Sequence, residues 1–454
     1  MSTTYLGIDI GSSQICAVIA EKDDVGTVKV LGAGVAKAQG LKKGVITNIE
    51  LASKSIKLAL SDAKRVAGTH YDKVIVSISG AYTKSVDSNG VVNVPNHDIG
   101  IREINRAMQM ADHNANIPHE YEKLHVLPYN FKVDEQEHIE DPLGMNGSRL
   151  EVQVHIITAQ KSSLSNLKKA VKSAGVDIDN IVLCGYASAI ATVNQDEKEL
   201  GVVVIDMGGA SCNMVIHSGN SIRYNDFLGV GSANITNDLS MALHTPLPAA
   251  ENVKINYGTL HASSSELIEL PVLGDENVTH EVSLDIISNV IYARVEETLM
   301  ILAKTLEDSG FKDQVGAGIV LTGGLTKLEG IRELATAIFD NMPIRLAKPK
   351  EMEGLFETLR DPGHSTAIGL IMYGAGAFTP YEIDSNKKMR YKDESIEPGK
   401  NVQKILEEED NVKLDEPVAV ESTKDKLARI TDLGQKNKGE NPVAKFWHRL
   451  TQLF

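Results

Sequence analysis

Two short stretches, Leu6 to Ala20 (LGIDIGSSQICAVIA) and Val202 to Ile216 (VVVIDMGGASCNMVI), carry the residue types from which a polyphosphate site can be made. In each, an apolar run reaches an Asp, an apolar residue and a Gly, passes through small polar residues, and enters a second apolar run. A turn of Gly and Ser can present backbone N–H groups and hydroxyls to phosphate oxygens with no bulky side chain in the way. A carboxylate just ahead of the turn can hold Mg2+ against the same oxygens, directly or through water. This pattern selects Asp9, Gly11, Ser12, Ser13 and Gln14 in the first loop and Asp206, Gly208, Gly209 and Ser211 in the second. Asp9 and Asp206 are the candidate metal carboxylates. A single Asp-x-Gly is most often an ordinary turn; two copies in matching strand contexts point to a clamp. The chain contains no GxxxxGKS or GxxxxGKT segment, so it is not a P-loop protein.

Two further segments can complete such a site. Ile319 to Glu329 (IVLTGGLTKLE) reads as a strand, a Gly-Gly turn and a helix start, so that backbone at Gly323 and Gly324, followed by Lys327, can approach a base or ribose closely. In Ala250 to Gly258 (AENVKINYG), Glu251 and Lys254 share one face of a predicted helix.

Each Asp-containing repeat predicts a β-hairpin with the Asp and Gly at its tip, and two equivalent hairpins imply two related α/β halves that face each other. Residues 1–378 fit that frame, since apolar runs alternate with helical patterns bounded by Gly. At 454 residues and 42% apolar content, the chain can build more than one sizeable core. A formal charge of -15 argues against a nucleic-acid partner. Cys16, Cys184 and Cys212 lie far apart in apolar stretches without metal-ligand spacing, as small core residues in a reducing compartment would. The chain enters a strand-like segment (TYLGIDIG) almost at once and shows no signal peptide or spanning run, so any membrane contact is expected to be peripheral.

Beyond Tyr381 the composition changes. Residues 381–440 hold 27 charged residues, 15 acidic and 12 basic, and few aromatics, which predicts a flexible linker. The last fifteen residues, ENPVAKFWHRLTQLF, turn apolar again. Val443, Phe446, Trp447, Leu450, Leu453 and Phe454 fall at helical spacing, with Lys445 and Arg449 on the other face. Asn441 suits an N-cap and Pro442 the first helical position. Spanning a bilayer takes roughly 20 apolar residues, so this helix is expected to lie in an anionic membrane surface rather than cross it. The alternative is that it docks back on the chain's own globular body.

Together these elements resemble the actin, Hsp70 and sugar-kinase superfamily. Asp9 to Gln14 and Asp206 to Ser211 match its phosphate motifs, and Thr322 to Lys327 matches its adenosine motif. Gly185 to Val193 and Thr366 to Tyr373 match its two connecting helices. The resemblance implies an α/β, actin-like (ribonuclease H-like) fold closing over Mg-ATP, with Glu251 and Lys254 against adenosine. Between the nucleotide motifs lie LHVLP (Leu124 to Pro128) and DPLGMNGSRL (Asp141 to Leu150), followed by a strand over 152–158. These are similar to the inserted subdomain of the bacterial cell-division protein family FtsA, particularly at Pro142, Gly144, Gly147 and Arg149.

The FtsA resemblance implies a first half over 1–80 and 161–199, an inserted α+β subdomain over 81–160, and a second half over 200–378. It also implies a linker over 379–440 and a membrane-targeting helix over 441–454. By the same resemblance, the protein binds ATP, polymerises, ties FtsZ filaments to the inner face of the cytoplasmic membrane at the division site, and recruits later division proteins. The helix containing Ile291 to Leu299 would receive the FtsZ tail, with Arg294 meeting an acidic residue. Two positions depart from the family pattern. Gln14 stands where relatives usually carry Lys, and Ala210 and Ser211 replace the end of a GGGT loop. Because no residue suited to align an attacking water stands out, slow or absent hydrolysis is expected, with ATP acting as a conformational and assembly ligand. A metabolic kinase of the superfamily and an adaptor of pilus or secretion assembly are the alternative readings.

Overall fold

The computed structural model describes residues 2–391 except 220 and 262–264; the terminal helix expected over 441–454 lies outside the described residues. The first repeat forms the hairpin Thr3–Ile10 and Gln14–Lys22, extended antiparallel by Val28–Lys37. On the other side of Thr3–Ile10, the strands Lys73–Ile78 and Asn180–Leu183 continue the sheet in parallel. The second repeat follows the same plan. Val202–Met207, Cys212–Ser218 and Ser221–Leu228 run antiparallel, and Ile319–Thr322 and Ile344–Leu346 add in parallel to the first of them. The internal similarity in sequence is thus a duplicated five-stranded topology, as the actin-like expectation requires.

Parallel neighbours need crossovers, usually helical ones. The helix Ile49–Ala67 shows how the sequence supplies one: Ala52, Ile56, Ala59, Leu60 and Ala63 make its buried stripe. The Asn48 side chain caps the first turn through Leu51 N–H, and Gly68 ends the helix in a left-handed conformation. The connecting helices Cys184–Thr192 and Ser365–Gly374 lie against each other between the halves. Their contact is so close that a Cβ added to Gly369 would sit 1.8 Å from the Ala187 carbonyl oxygen.

The inserted subdomain is a four-stranded sheet of Thr83–Asn93, Arg149–Gln160, Tyr121–Val133 and Gln136–Ile139, in that spatial order, with the helix Ile101–Asn114 on one face. Its register slips at Pro128: Gln153 pairs with Asn130 but Val154 pairs with Pro128, leaving Tyr129 as the extra residue. A bulge re-aims the residue it extrudes. Here the Tyr129 ring receives the Arg223 guanidinium of the second half at 3.6 Å. His155 adds a second tie across that junction, with Nε2 3.1 Å from Asn225 Oδ1.

The linker expected from residue 379 does not begin there. Residues 379–391 form an ordered strap over the first half and the inserted subdomain. Ile383 and Val126 exchange backbone hydrogen bonds at 3.0 Å, and Tyr381 packs edge-on to Phe131 and stacks on Tyr391. Asp384 accepts from Asn180 Nδ2 at 2.8 Å. Within the strap, Glu382 is fully buried, and its carboxyl accepts from the hydroxyls of Tyr186 and Tyr373, one from each connecting helix. Burial pushes this carboxyl up to about 7, against the opposing pull of Arg390 and the two hydroxyls. The apolar anchors alternate with charged residues, so a composition average masks them.

Candidate functional site

The two hairpin tips meet between the halves. In the first, a Cβ on Gly11 would lie 2.7 Å from the Gln14 carbonyl oxygen; in the second, a Cβ on Gly208 would lie 3.0 Å from that of Ser211. Both turns therefore close tightly over their first glycine. A Cβ on Gly209 would be 2.7 Å from Ser13 Oγ, which brings the loops of opposite halves into contact distance. Ala210 takes no positive φ, so its methyl group is accommodated without strain.

Register puts the two carboxylates in equivalent positions. Asp9 lies opposite Cys16 and Asp206 opposite Asn213, each one residue before the last pair of its hairpin. Both are nearly buried, at 8% exposure. Asp9 Oδ1 accepts from Ser77 Oγ at 2.9 Å, and Asp206 Oδ2 accepts from Thr366 Oγ1 at 3.1 Å. Burial raises the Asp9 carboxyl to about 7, with the Asp206 charge adding to the rise, and burial also raises Asp206. Neither carboxylate forms an ion pair with a Lys or Arg among the described residues. Buried carboxylates facing each other without a counter-charge suit a hydrated divalent cation, which would relieve their mutual repulsion.

Gly323 and Gly324 close the site from the second half. Gly323 has a φ of 92°, and a Cβ there would fall 2.4 Å from Asp206 Oδ1 and 2.5 Å from the Met207 carbonyl oxygen. A Cβ on Gly324 would meet nothing within 4 Å. Lys327 pairs with Asp361 at 2.7 Å, in the turn whose Gly363 lies beside Gly324. The Glu251 and Lys254 pair is on the helix Leu247–Tyr257, as its spacing predicts, at 2.7 Å. Lys254 Nζ also donates to Ser232 Oγ at 2.7 Å, at the first turn of the helix Ser232–Ala242. That turn packs on the second loop, where Ala233 N–H donates to the Gly209 carbonyl at 2.7 Å.

Arg294 lies on the helix Leu284–Asp308, apart from these loops, and its Nη2 donates to Asp238 Oδ1 at 3.0 Å, with a further ion pair to Glu297. It is not a free surface charge. Ser77, Asn213, Thr366 and Asp361 are not among the site residues that the motifs select. Thr366 opens the second connecting-helix motif and the repeat aligns Asn213 with Cys16 opposite the equivalent Asp, whereas Ser77 and Asp361 lie outside every motif.

The profile of the FtsA cell-division protein family matches residues 203–369, and that of the SHS2 domain inserted in FtsA matches 80–158. The cell-division protein FtsA of Helicobacter pylori strain J99 is 43% identical over 419 residues, covering 85% of each chain. This chain belongs to the FtsA family. The FtsA of Pseudomonas aeruginosa is 37% identical, covering 81% of this chain and 88% of that one. Solved structures share the FtsA fold at lower identity. The PilM-PilN type IV pilus biogenesis complex gives a TM-score of 0.58 at 20% identity, over 82% of this chain and 98% of that one. MreB5 of Spiroplasma citri bound to ADP gives 0.50 at 14%, over 82% and 96%. The inserted SHS2 match coincides with the four-stranded sheet packed on the second half.

Proposed function

We propose that this FtsA-family chain binds Mg-ATP between its two halves, assembles into filaments on the cytoplasmic face of the membrane, and holds FtsZ filaments there through its terminal helix. The observation that carries this reading is the pair of hairpin tips in contact distance, with a buried carboxylate behind each. Backbone N–H groups of both loops would bind the phosphates, while Asp9 and Asp206 hold the Mg2+ that neutralises phosphate charge. Gly323 and Gly324 admit the nucleoside, and Glu251 and Lys254 flank it from the smaller subdomain. Each half contributes one loop, so bound nucleotide favours their closed arrangement, and the packed connecting helices carry that arrangement through the molecule.

The terminal helix, with Val443, Phe446, Trp447, Leu450, Leu453 and Phe454 as its apolar face, is the membrane foot. The FtsZ tail is assigned to the smaller subdomain of the second half, where one of its acidic residues would take the place of Glu297 beside Arg294. Later division proteins are further partners.

Hydrolysis is expected to be slow, since no described side chain stands out as a base for the attacking water. Titration of the purified protein with Mg-ATP should show saturable binding, with phosphate release below about one per second, the low end of ordinary enzyme turnover. Absence of binding, or release at several per second without partners, would contradict the reading.

A further inference from the structure

The first phosphate loop has Gln14 and no cation of its own, yet a cation stands beside it. The chain turns back over residues 41–46 as a small hairpin between Leu41–Lys42 and Val45–Ile46. Gly44 N–H donates to Ser12 Oγ at 2.8 Å, which fixes that hairpin to the first loop. The residue before it, Lys43, has a left-handed φ of 48°. Its side chain crosses to the second half: a Cβ built on Gly229 would lie 3.4 Å from Lys43 Cδ and 4.0 Å from its Nζ. Two residues on, Gly231 is held so close to the second loop that a Cβ there would lie 2.7 Å from both the Gly208 carbonyl oxygen and Ser211 N.

Lys43 thus directly precedes the residue bonded to one phosphate loop and reaches with its side chain to the segment supporting the other. It is solvent-exposed and has no ion pair among the described residues. Lys37, a neighbouring cation, is differently committed. It lies opposite Gln14 in register, and against the upward push of burial its charge adds to the Lys254 and Thr236 hydrogen bonds that hold the Glu251 carboxyl below the ordinary range.

We infer that Lys43 supplies the phosphate-facing positive charge that the first loop lacks, bridging the two halves onto the bound polyphosphate. This rests on the nucleotide reading above. It makes the hairpin over 41–46 part of the site and couples phosphate binding to closure, because the hairpin is bonded to the first half's loop through Gly44 while the Lys43 side chain lies beside Gly229 of the second half. A flexible ammonium needs no fixed fork geometry, so its charge can be replaced from a neighbouring position.

The test is the affinity of the full chain for Mg-ATP, measured by calorimetry beside thermal melting. Lys43→Ala should lose about 10-fold or more in affinity, the range of a hydrogen bond to a charged group, with its melting temperature unchanged. Lys43→Arg should keep affinity within about threefold, and Gln14→Lys placed in the Lys43→Ala background should recover most of the loss, since charge rather than shape is being supplied. Lys43→Ala binding within twofold of the parent would overturn the inference, as would a loss that neither Arg nor Gln14→Lys restores. If the parent chain itself bound no Mg-ATP, the nucleotide reading would fail first, which keeps the two failures distinct.

Discussion

Gly323→Ala should weaken Mg-ATP binding by about 100-fold or more, whereas Gly324→Ala should weaken it with no change in the stability of the unliganded protein. The neighbouring glycines serve different purposes. Gly323 combines a φ of 92° with a ψ of 160°, a region almost closed to L-residues, and its missing Cβ makes room for the Asp206 carboxylate and the Met207 carbonyl. Placing a side chain there costs about 1 to 3 kcal/mol in backbone strain alone, and the clash displaces the carboxylate proposed to hold Mg2+. About 2.7 kcal/mol already corresponds to 100-fold in affinity. Gly324 has open space where its Cβ would be, so a methyl group there meets only what enters the cleft. Melting and calorimetry on the two variants separate the roles. If Gly324→Ala bound nucleotide as the parent does, the nucleoside would not pass over this turn.

Trp447→Glu should abolish co-sedimentation with anionic liposomes while leaving ATP affinity intact. Burying one large apolar side chain stabilises by roughly 1.5 to 3 kcal/mol, and interfacial burial is only partial. Part of this gain is offset by the cost of folding a short helix, which is marginal in water alone. A single tail is therefore a weak anchor, and replacing its central aromatic with an anion removes most of its grip. In a polymer, many tails act together, and avidity adds about 10² to 10⁴ in apparent affinity. Linkage makes the coupling reciprocal, so membrane should promote polymer as polymer promotes membrane binding. Unchanged sedimentation of the variant would place the membrane contact elsewhere in the chain.

The hairpin tips were legible in the sequence because their chemistry is local: Asp, Gly and hydroxyls within six residues, twice over. Their partners were not, because Ser77 arrives through the sheet order on a parallel strand and Thr366 through the packing of a connecting helix, each far from its carboxylate in the chain. Ala210 stands where the family pattern has glycine, yet its φ is not positive, so the position makes no demand that only glycine can meet. The boundary at 379 was misplaced for a different reason. Tyr381, Ile383 and Tyr391 are anchors scattered among charges, and only the surface they dock on reveals them. Arg294 likewise reads as an exposed helix charge until Asp238, 56 residues earlier in the chain, is brought beside it.

In the proposed function, nucleotide closes the halves, closure permits filaments, and filaments make a weak membrane foot hold. Electron microscopy of the protein on anionic lipid monolayers tests this most directly, comparing the full chain with and without Mg-ATP and a form lacking residues 441–454. Membrane-bound filaments are predicted for the full chain with Mg-ATP only. Filaments that form equally without nucleotide, or that coat the lipid without the last fourteen residues, would contradict the account.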